Sequence, residues 1–310
     1  MRQQRLLNKA TETIQALVTA SHGRHHFVTT ADGQVYEAHR RGKKTDVVVG
    51  DTVVCTAPVS GKVAIESVCP RRNLLFRSDE WRVKELAANI DCVAVVFASR
   101  PSFNPWFVWK AIIAAKTAGV EVLIIRNKCD LTEKANVAET FLSKLQDIGE
   151  STVSVSAQNC PNETKKILEP MLKGRTTLFV GQSGMGKSTL LNLLCPHADA
   201  RTREFSEALD LGKQTTTSTC MYEFSIDQIP SRIIDSPGFQ EFGLAHVTNR
   251  DILLAMPDIL KHVDGCRFYN CSHTREPGCA VKKAVDLGKI DGARYDFYCE
   301  LVKSAAQDVL

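Results

Sequence analysis

Gly181, Gln182, Ser183, Gly184, Met185, Gly186, Lys187, Ser188 and Thr189 spell GQSGMGKST, a glycine-rich run that ends in an ammonium and two hydroxyls. It fits G-x-x-x-x-G-K-[ST], with the apolar stretch TLFV before it and the helix-forming TLLNLL after it. Glycines at this spacing let backbone N–H groups converge on phosphate oxygens, and a helix beginning near Lys187 adds its positive end. Lys187 is expected on the β- and γ-phosphates, and the Ser188 hydroxyl on Mg²⁺. The competing reading, a glycine-rich turn before a helix, is disfavoured because strand, loop and helix signals coincide.

A phosphate loop does not choose between ATP and GTP. That choice falls to Asn127, Lys128, Cys129 and Asp130, which follow the apolar strand VEVLII. An Asp carboxylate only accepts hydrogen bonds, so it pairs with the N1–H and 2-amino donors of guanine. Adenine would leave it unpaired, at about 1–3 kcal/mol or more for a charged group. Lys128 can lie along the base plane, Asn127 can tie the loops together, and Ser156 and Ala157 can offer backbone N–H to the guanine O6. Asp235-Ser236-Pro237-Gly238 follows the strand SRIID and fits DxxG, with Asp235 on Mg²⁺ through water and the Gly238 N–H on the γ-phosphate. Between these motifs lies Gly212-Lys213-Gln214-Thr215-Thr216-Thr217, positioned as switch I. One of its threonines should hold Mg²⁺; Thr217 is favoured, with the other two open. An ordinary guanine-nucleotide domain presents the phosphate loop first and NKxD last, so this domain reads as circularly permuted.

Near the C-terminus, Cys266, Cys271, His273 and Cys279 gather three thiols and an imidazole into fourteen residues. Such a set suits one tetrahedral Zn²⁺ with no position open for chemistry, hence a structural ion. Unrelated free cysteines are the alternative. Arg267, Phe268, Tyr269, Arg275, Lys282 and Lys283 nearby suit RNA contact, or merely cover the site.

These groups need elements to hold them. Residues 13–76 carry short β-rich runs split by turn residues, the pattern of a small antiparallel barrel or sandwich; a five-stranded oligonucleotide-binding barrel fits the length. Residues 71–89 read as a charged connector. Beyond them apolar strands alternate with helical stretches at 105–118, 132–147 and 163–173, which implies parallel strands covered on both faces. Residues 1–77 hold 12 Lys and Arg against 6 Asp and Glu, so the first module suits a polyanion, or is simply a solvated surface. Arg40, Arg41, Lys43, Lys44, Arg71 and Arg72 are candidates for phosphate contact. The 11 cysteines are odd in number and mostly sit in apolar segments, so reduced thiols and a cytoplasmic chain are expected. No segment reads as a membrane span, and no membrane partner is expected.

The barrel, the motif order and the Cys-x4-Cys-x-His-x5-Cys cluster together resemble the RsgA (YjeQ/YloQ) family of small-ribosomal-subunit biogenesis GTPases, from about Thr13 to Tyr298. The resemblance implies an α/β fold of three parts: an OB-type β-barrel at 1–77, a circularly permuted P-loop GTPase domain at 78–243 and a mostly helical zinc domain at 244–310. It further implies hydrolysis of GTP to GDP and phosphate, stimulated by the 30S subunit, with binding to 16S rRNA late in maturation. The cofactors are one Zn²⁺ and the Mg²⁺ that accompanies GTP, and the chain is a monomer. One residue departs from the family pattern. A histidine implicated in water activation usually precedes the threonine run, and here it is Gln214. Phe239, after DxxG, cannot orient water, whereas a carboxamide both donates and accepts. Gln214 is therefore the candidate for positioning water, beside Lys187 and Thr217; a solvated loop residue is the alternative. Two other functions remain open: a GTP-gated RNA-binding module, and a permuted GTPase acting on another RNA or on the large subunit.

Overall fold

Runs with apolar residues at every second position build the first part of the structure, a computed structural model that describes residues 12–40, 46–78, 83–196, 198, 219–236 and 243–307. Five strands, β1 (Thr13–His22), β2 (His25–Thr30), β3 (Val35–Arg40), β4 (Thr52–Thr56) and β5 (Lys62–Val68), close into a barrel in the order β1-β2-β3-β5-β4-β1. Of the antiparallel barrel or sandwich expected, the barrel is observed, and one of its seams is parallel. β3 and β5 run parallel, with Ala38 opposite Val63, because β4 returns the chain before β5 pairs. Val18, Val28, Val53, Cys55 and Ile65 fill the interior, all without exposed surface. A bulge between Val18 and Ala20 turns β1 inside out, so that Val18 faces the barrel core while Ala20 packs with Phe27, Cys220 and Tyr222 outside it.

His26 is buried on β2, and its Nδ1 has no hydrogen-bond partner among the described residues. Burial first, then neighbouring His25, pushes its pKa below the ordinary value, against the opposing pull of Asp51. A depressed folded-state pKa means the unfolded chain takes the proton first. The stability contribution is therefore complete above pH ~6.5 and lost as pH falls below it, by at most about 1.4 kcal/mol per pH unit for one proton. Urea unfolding of His26→Leu between pH 7 and 5 is expected to show a shallower loss of stability than the parent. Parallel curves would remove His26 as the source.

Residues 71–89 are not a mere connector. They form an antiparallel hairpin, β6 (Leu74–Ser78) with β7 (Val83–Ala88), whose Leu75 and Ala87 enter the main core. The sequence reading stopped at the charges and missed these alternating apolar positions. Arg71 is spent internally: Nε and Nη2 donate to the fully buried Asp51 at 2.7 and 2.9 Å, and Nη1 to Glu85 at 3.2 Å. Arg72 pairs with Asp91 and Arg40 with Asp46, so these three candidates for phosphate contact already hold partners. Arg41, Lys43 and Lys44 lie outside the described residues.

The central sheet follows: β8 (Cys92–Ala98), α1 (Pro105–Thr117), β9 (Glu121–Asn127), α2 (Ala135–Asp147), β10 (Ser151–Ser154), α3 (Pro161–Leu172), β11 (Thr176–Val180), α4 (Lys187–Leu194), β12 (Thr219–Ile226) and β13 (Ile229–Asp235). Its order is β10-β9-β8-β11-β13-β12, parallel throughout except for β12. β8 is buried at all seven positions because helices cover both faces. Val93, Val95 and Phe97 point to α1 and α2, whereas Cys92, Ala94, Val96 and Ala98 point to α3 and α4. The sheet does not end at β12. Ala20 and Ser21 of β1 pair with Cys220 and Thr219, which joins barrel and central sheet into eleven continuous strands.

α1 is apolar nearly all round, as a helix covered on two sides must be. Asn104 caps it, its side chain accepting from the Trp106 N–H at 2.9 Å, and Pro105 starts its first turn. One side lies on the sheet; the other meets the C-terminal helices Asn249–Leu254, Pro257–Leu260, Ala280–Asp286 and Gly292–Gln307. There Trp109 packs 5.1 Å from Phe297, and Arg294 forms a buried bidentate pair with Asp258 at 2.6 and 3.1 Å. No helix among the described residues is long and apolar enough to cross a membrane.

Candidate nucleotide site and metal centre

Because β9, β11 and β13 are parallel, the motifs that follow them emerge at one edge of the sheet, where open α/β sheets bind ligands. Asn127 ends β9, the phosphate loop leaves β11 and Asp235 ends β13. Asn127 joins the pieces: its Nδ2 donates to the Met185 carbonyl at 3.1 Å, and its Oδ1 accepts from the Ala157 N–H at 3.2 Å. Lys128, in the left-handed region at φ 57°, donates from Nζ to the Gly184 carbonyl at 2.8 Å and to the Arg100 carbonyl at 3.2 Å. Gln182 accepts from the Asn104 N–H at 2.8 Å, tying the loop to the start of α1. Met185 is buried under the loop as its anchor, while Ser183, Gly184, Ser188 and Thr189 face out.

The loop backbone lies too close to its neighbours for side chains. A Cβ on Gly181 would sit 2.4 Å from the Val96 carbonyl oxygen, and one on Gly186, at φ +91°, 2.2 Å from Asn127 Nδ2. Gly186 caps α4 without a side-chain acceptor, which leaves the first-turn N–H groups directed at the loop cavity.

Lys187 is buried and folds back, its Nζ donating to the Gly181 carbonyl at 2.6 Å and the Gln182 carbonyl at 3.3 Å. Burial lowers its pKa and the nearby Asp235 opposes that shift. Burial pushes Asp235 up to about 6, against the Lys187 ammonium and the Ser236 N–H. Its Oδ1 is buried without a hydrogen-bond partner among the described residues. A buried carboxylate oxygen beside a phosphate loop is a hard oxygen donor of the kind a hydrated divalent cation takes, so the residues present fit Mg²⁺. Gln214, Thr217, Pro237, Gly238 and Phe239 lie outside the described residues.

Asp130 is exposed, and both of its oxygens are engaged. Oδ1 accepts from the Ser156 hydroxyl at 2.5 Å and Oδ2 from Asn159 Nδ2 at 2.6 Å. Ser156 above all, with Asn159, holds the carboxyl below its usual range. Cys129, between Lys128 and Asp130, is half-buried and its thiol is raised by burial, so it is packing rather than a nucleophile. Asn159 escaped the sequence reading. A polar residue in the turn after Ser156-Ala157 was its one signal.

At the second centre the ligand atoms of Cys266, Cys271, His273 and Cys279 all lie within 4.8 Å of one another. Cys266 Sγ is 3.3 Å and Cys279 Sγ 3.8 Å from His273 Nδ1, and the two sulfurs are 3.9 Å apart. Thiolates at about 2.3 Å and an imidazole nitrogen at about 2.0 Å from one tetrahedral ion stand roughly 3.6–3.8 Å apart. The set therefore fits Zn²⁺, with Nδ1 as the ligating nitrogen. Ala280 N–H and Lys282 N–H point at the sulfurs of Cys266 and Cys279, at 3.4 and 3.5 Å, as suits thiolates. Burial, then the neighbouring sulfurs, pushes the Cys271 thiol up to about 12, although the His273 N–H opposes this; a cation reverses that preference. Glu276 shapes the loop by accepting from Ser272 N–H and hydroxyl, Thr274 N–H and Arg275 N–H, and no sequence pattern announced it. Phe268 and Tyr269 are exposed, so they do not cover the cluster.

Residues 68–245 match the family model described as RsgA GTPase. A Bordetella pertussis protein named small ribosomal subunit biogenesis GTPase RsgA is 46% identical over 94% of this chain and 96% of its own length. This chain belongs to the RsgA GTPase family. A Ralstonia pickettii protein of the same name is 42% identical to this family member, covering 94% of the chain and 93% of its own length. Two solved structures share the RsgA-family fold. YloQ, titled a circularly permuted GTPase, superposes with a TM-score of 0.66 at 22% identity over 97% of this chain and 98% of its own. YjeQ from Thermotoga maritima gives 0.66 at 23% identity over 95% and 99%. The permuted domain, the closed five-stranded barrel and the Cys/His cluster in the helical C-terminal region agree with the fold expected from the motif order.

Proposed function

We propose that this chain is a GTPase that binds the 30S ribosomal subunit and assists its late maturation, hydrolysing GTP to GDP and phosphate. The observation that carries the reading is the Asn127 bridge, which fixes the NKxD loop, Ala157 and the phosphate loop as one unit. A base reader held to a phosphate cradle suits a guanine nucleotide. On binding, the Lys187 ammonium exchanges the Gly181 and Gln182 carbonyls for phosphate oxygens, and the uncapped N–H groups of α4 take others. Asp130 accepts from the base, while Ser156 and Ala157 line its O6 side. Ser188, Asp235 and Thr217 hold Mg²⁺, which screens phosphate charge when present. The Gly238 N–H senses the γ-phosphate and Gln214 orients the attacking water. Cys266, Cys271, His273 and Cys279 hold one structural Zn²⁺.

The barrel is the part suited to 16S rRNA, in a chain acting as a cytoplasmic monomer. The proposed division is 1–77, 78–243 and 244–310, and the packing of Leu75 and Ala87 of the β6–β7 hairpin in the central core favours a first boundary a few residues earlier, before Leu74. The second is taken near residue 243, ahead of the first C-terminal helix at Asn249.

The test is phosphate release by the purified chain alone, with 30S and with 50S subunits. Intrinsic turnover is expected to be slow, near the roughly 10⁻⁴ s⁻¹ of unassisted small GTPases, and to rise strongly with 30S alone. GTP-dependent 30S binding without added turnover would instead describe a GTP-gated RNA-binding module. Stimulation by 50S would move the substrate to the large subunit.

A further inference from the structure

Asn159 completes a three-residue ring around the base-reading carboxylate. Its Nδ2 donates to Asp130 Oδ2 at 2.6 Å, while its backbone N–H points at Ser156 Oγ at 3.4 Å, and that hydroxyl donates to Asp130 Oδ1 at 2.5 Å. One residue thus touches Asp130 directly and orients the hydroxyl that touches it on the other side. The turn that carries Asn159 is fixed at both ends: the Cys160 N–H donates to the Ser156 carbonyl at 2.9 Å, and Pro161 starts α3 immediately after. Asp130 is solvent-exposed, so no core packing holds its plane; the two hydrogen bonds are what orient it.

We propose that Asn159 is a positioning residue for guanine specificity, holding the Asp130 carboxylate in the plane and rotation that let it accept from N1–H and the 2-amino group together. This rests on the guanine-nucleotide reading above. Each carboxylate oxygen has two acceptor directions. Ser156 and Asn159 take one on each oxygen, leaving one on each for a bidentate contact. Preorganisation of this kind raises affinity without any contact between Asn159 and the nucleotide. Released from one side, the carboxylate rotates and keeps a single strong bond to the base. The energetic weight of the 2-amino group then shrinks.

The experiment measures GDP, IDP and ADP affinities by fluorescence titration for the parent, Asn159→Ala, Asn159→Asp, Asn159→Gln and Asp130→Ala. IDP lacks the 2-amino group, so the GDP-to-IDP affinity ratio reads the bidentate contact. Asn159→Ala is expected to weaken GDP about 5- to 20-fold, the loss of one hydrogen bond to a charged group, and to weaken IDP less. Asn159→Asp sets a second carboxylate against Asp130 and should lower the ratio further, while Asn159→Gln, which keeps the amide donor, should recover part of it. A purely structural role would lower GDP and IDP affinity equally, and an unchanged ratio in Asn159→Ala overturns the proposal. Should the parent show no preference for GDP over ADP, or should Asp130→Ala leave that preference intact, the base-reading role of Asp130 fails, and this inference with it.

Discussion

Gly186→Ala is expected to weaken GDP and GTP binding about 100-fold while leaving the fold intact. At φ +91° an alanine is strained by roughly 1–2 kcal/mol, and its Cβ would stand 2.2 Å from Asn127 Nδ2. Asn127 cannot retreat without losing its bonds to the Met185 carbonyl and the Ala157 N–H. Leaving those partners unpaired costs about 1–3 kcal/mol. Together the terms come to about 2–5 kcal/mol, which brackets the roughly 2.8 kcal/mol that a hundredfold change requires. The clash also separates the phosphate cradle from the base reader. Fluorescence titration with a labelled GDP measures the loss, and far-UV circular dichroism checks the fold. Coupling supplies the sharper readout. On an Asn127→Ala background the obstructing amide is gone, so adding Gly186→Ala should cost much less than it does in the parent. Additive effects would show that Asn127 is not what the new methyl group meets.

Cys271→Ser should release the metal and unfold the C-terminal region while the central sheet survives. Metal binding at such sites is worth about 10–16 kcal/mol at neutral pH, and its loss is a loss of folding free energy. Apart from the metal, the region is held by its packing on α1 and by the buried Arg294–Asp258 pair. Tyr295 OH and Tyr298 OH donate to the carbonyls of His273 and Ser272 at 2.8 and 3.1 Å, so the last helix is fastened to the ligand loop itself. Metal analysis of the purified protein should find one zinc per chain in the parent and none in the variant. Limited proteolysis should cut the variant between residues 266 and 298 first, with GDP binding by the sheet largely kept. A zinc-free variant as protease-resistant as the parent would show that packing of Phe297 on Trp109 suffices.

The same joints bear on how nucleotide state reaches the rest of the molecule. Thr219 and Cys220, the first described residues after the threonine run, pair with Ser21 and Ala20 of the barrel, while Cys220 also stands opposite Asp235. On the other side the C-terminal helices hold α1 through Trp109, Arg294 and Asp258. The barrel is therefore anchored at the β12 edge of the nucleotide domain, by backbone pairing and the packing of Ala20 and Phe27, and the C-terminal helices on α1, by side-chain packing.

Much of this was open to reading in the chain. GQSGMGKST, NKCD, the DSPG turn and the cysteine-histidine cluster are local chemistry, because each needs particular residue types within a few positions, and spacing alone reveals them. Alternating apolar and helical stretches determined a parallel sheet with both faces covered, since a strand apolar at every position, such as β8, has no solvent face. Long-range contacts decided the rest. Whether Arg71 faces RNA or the buried Asp51 depends on a partner twenty residues away that no pattern links to it. The hairpin at Leu74–Ala88, the joining of barrel and sheet through β1 and β12, the Asn127 bridge and the Asn159 clamp on Asp130 likewise depend on backbones brought together from distant parts of the chain. Residue types and spacing carry the chemistry of each motif; the relative placement of motifs is a property of packing and register, which exist only once the chain has folded.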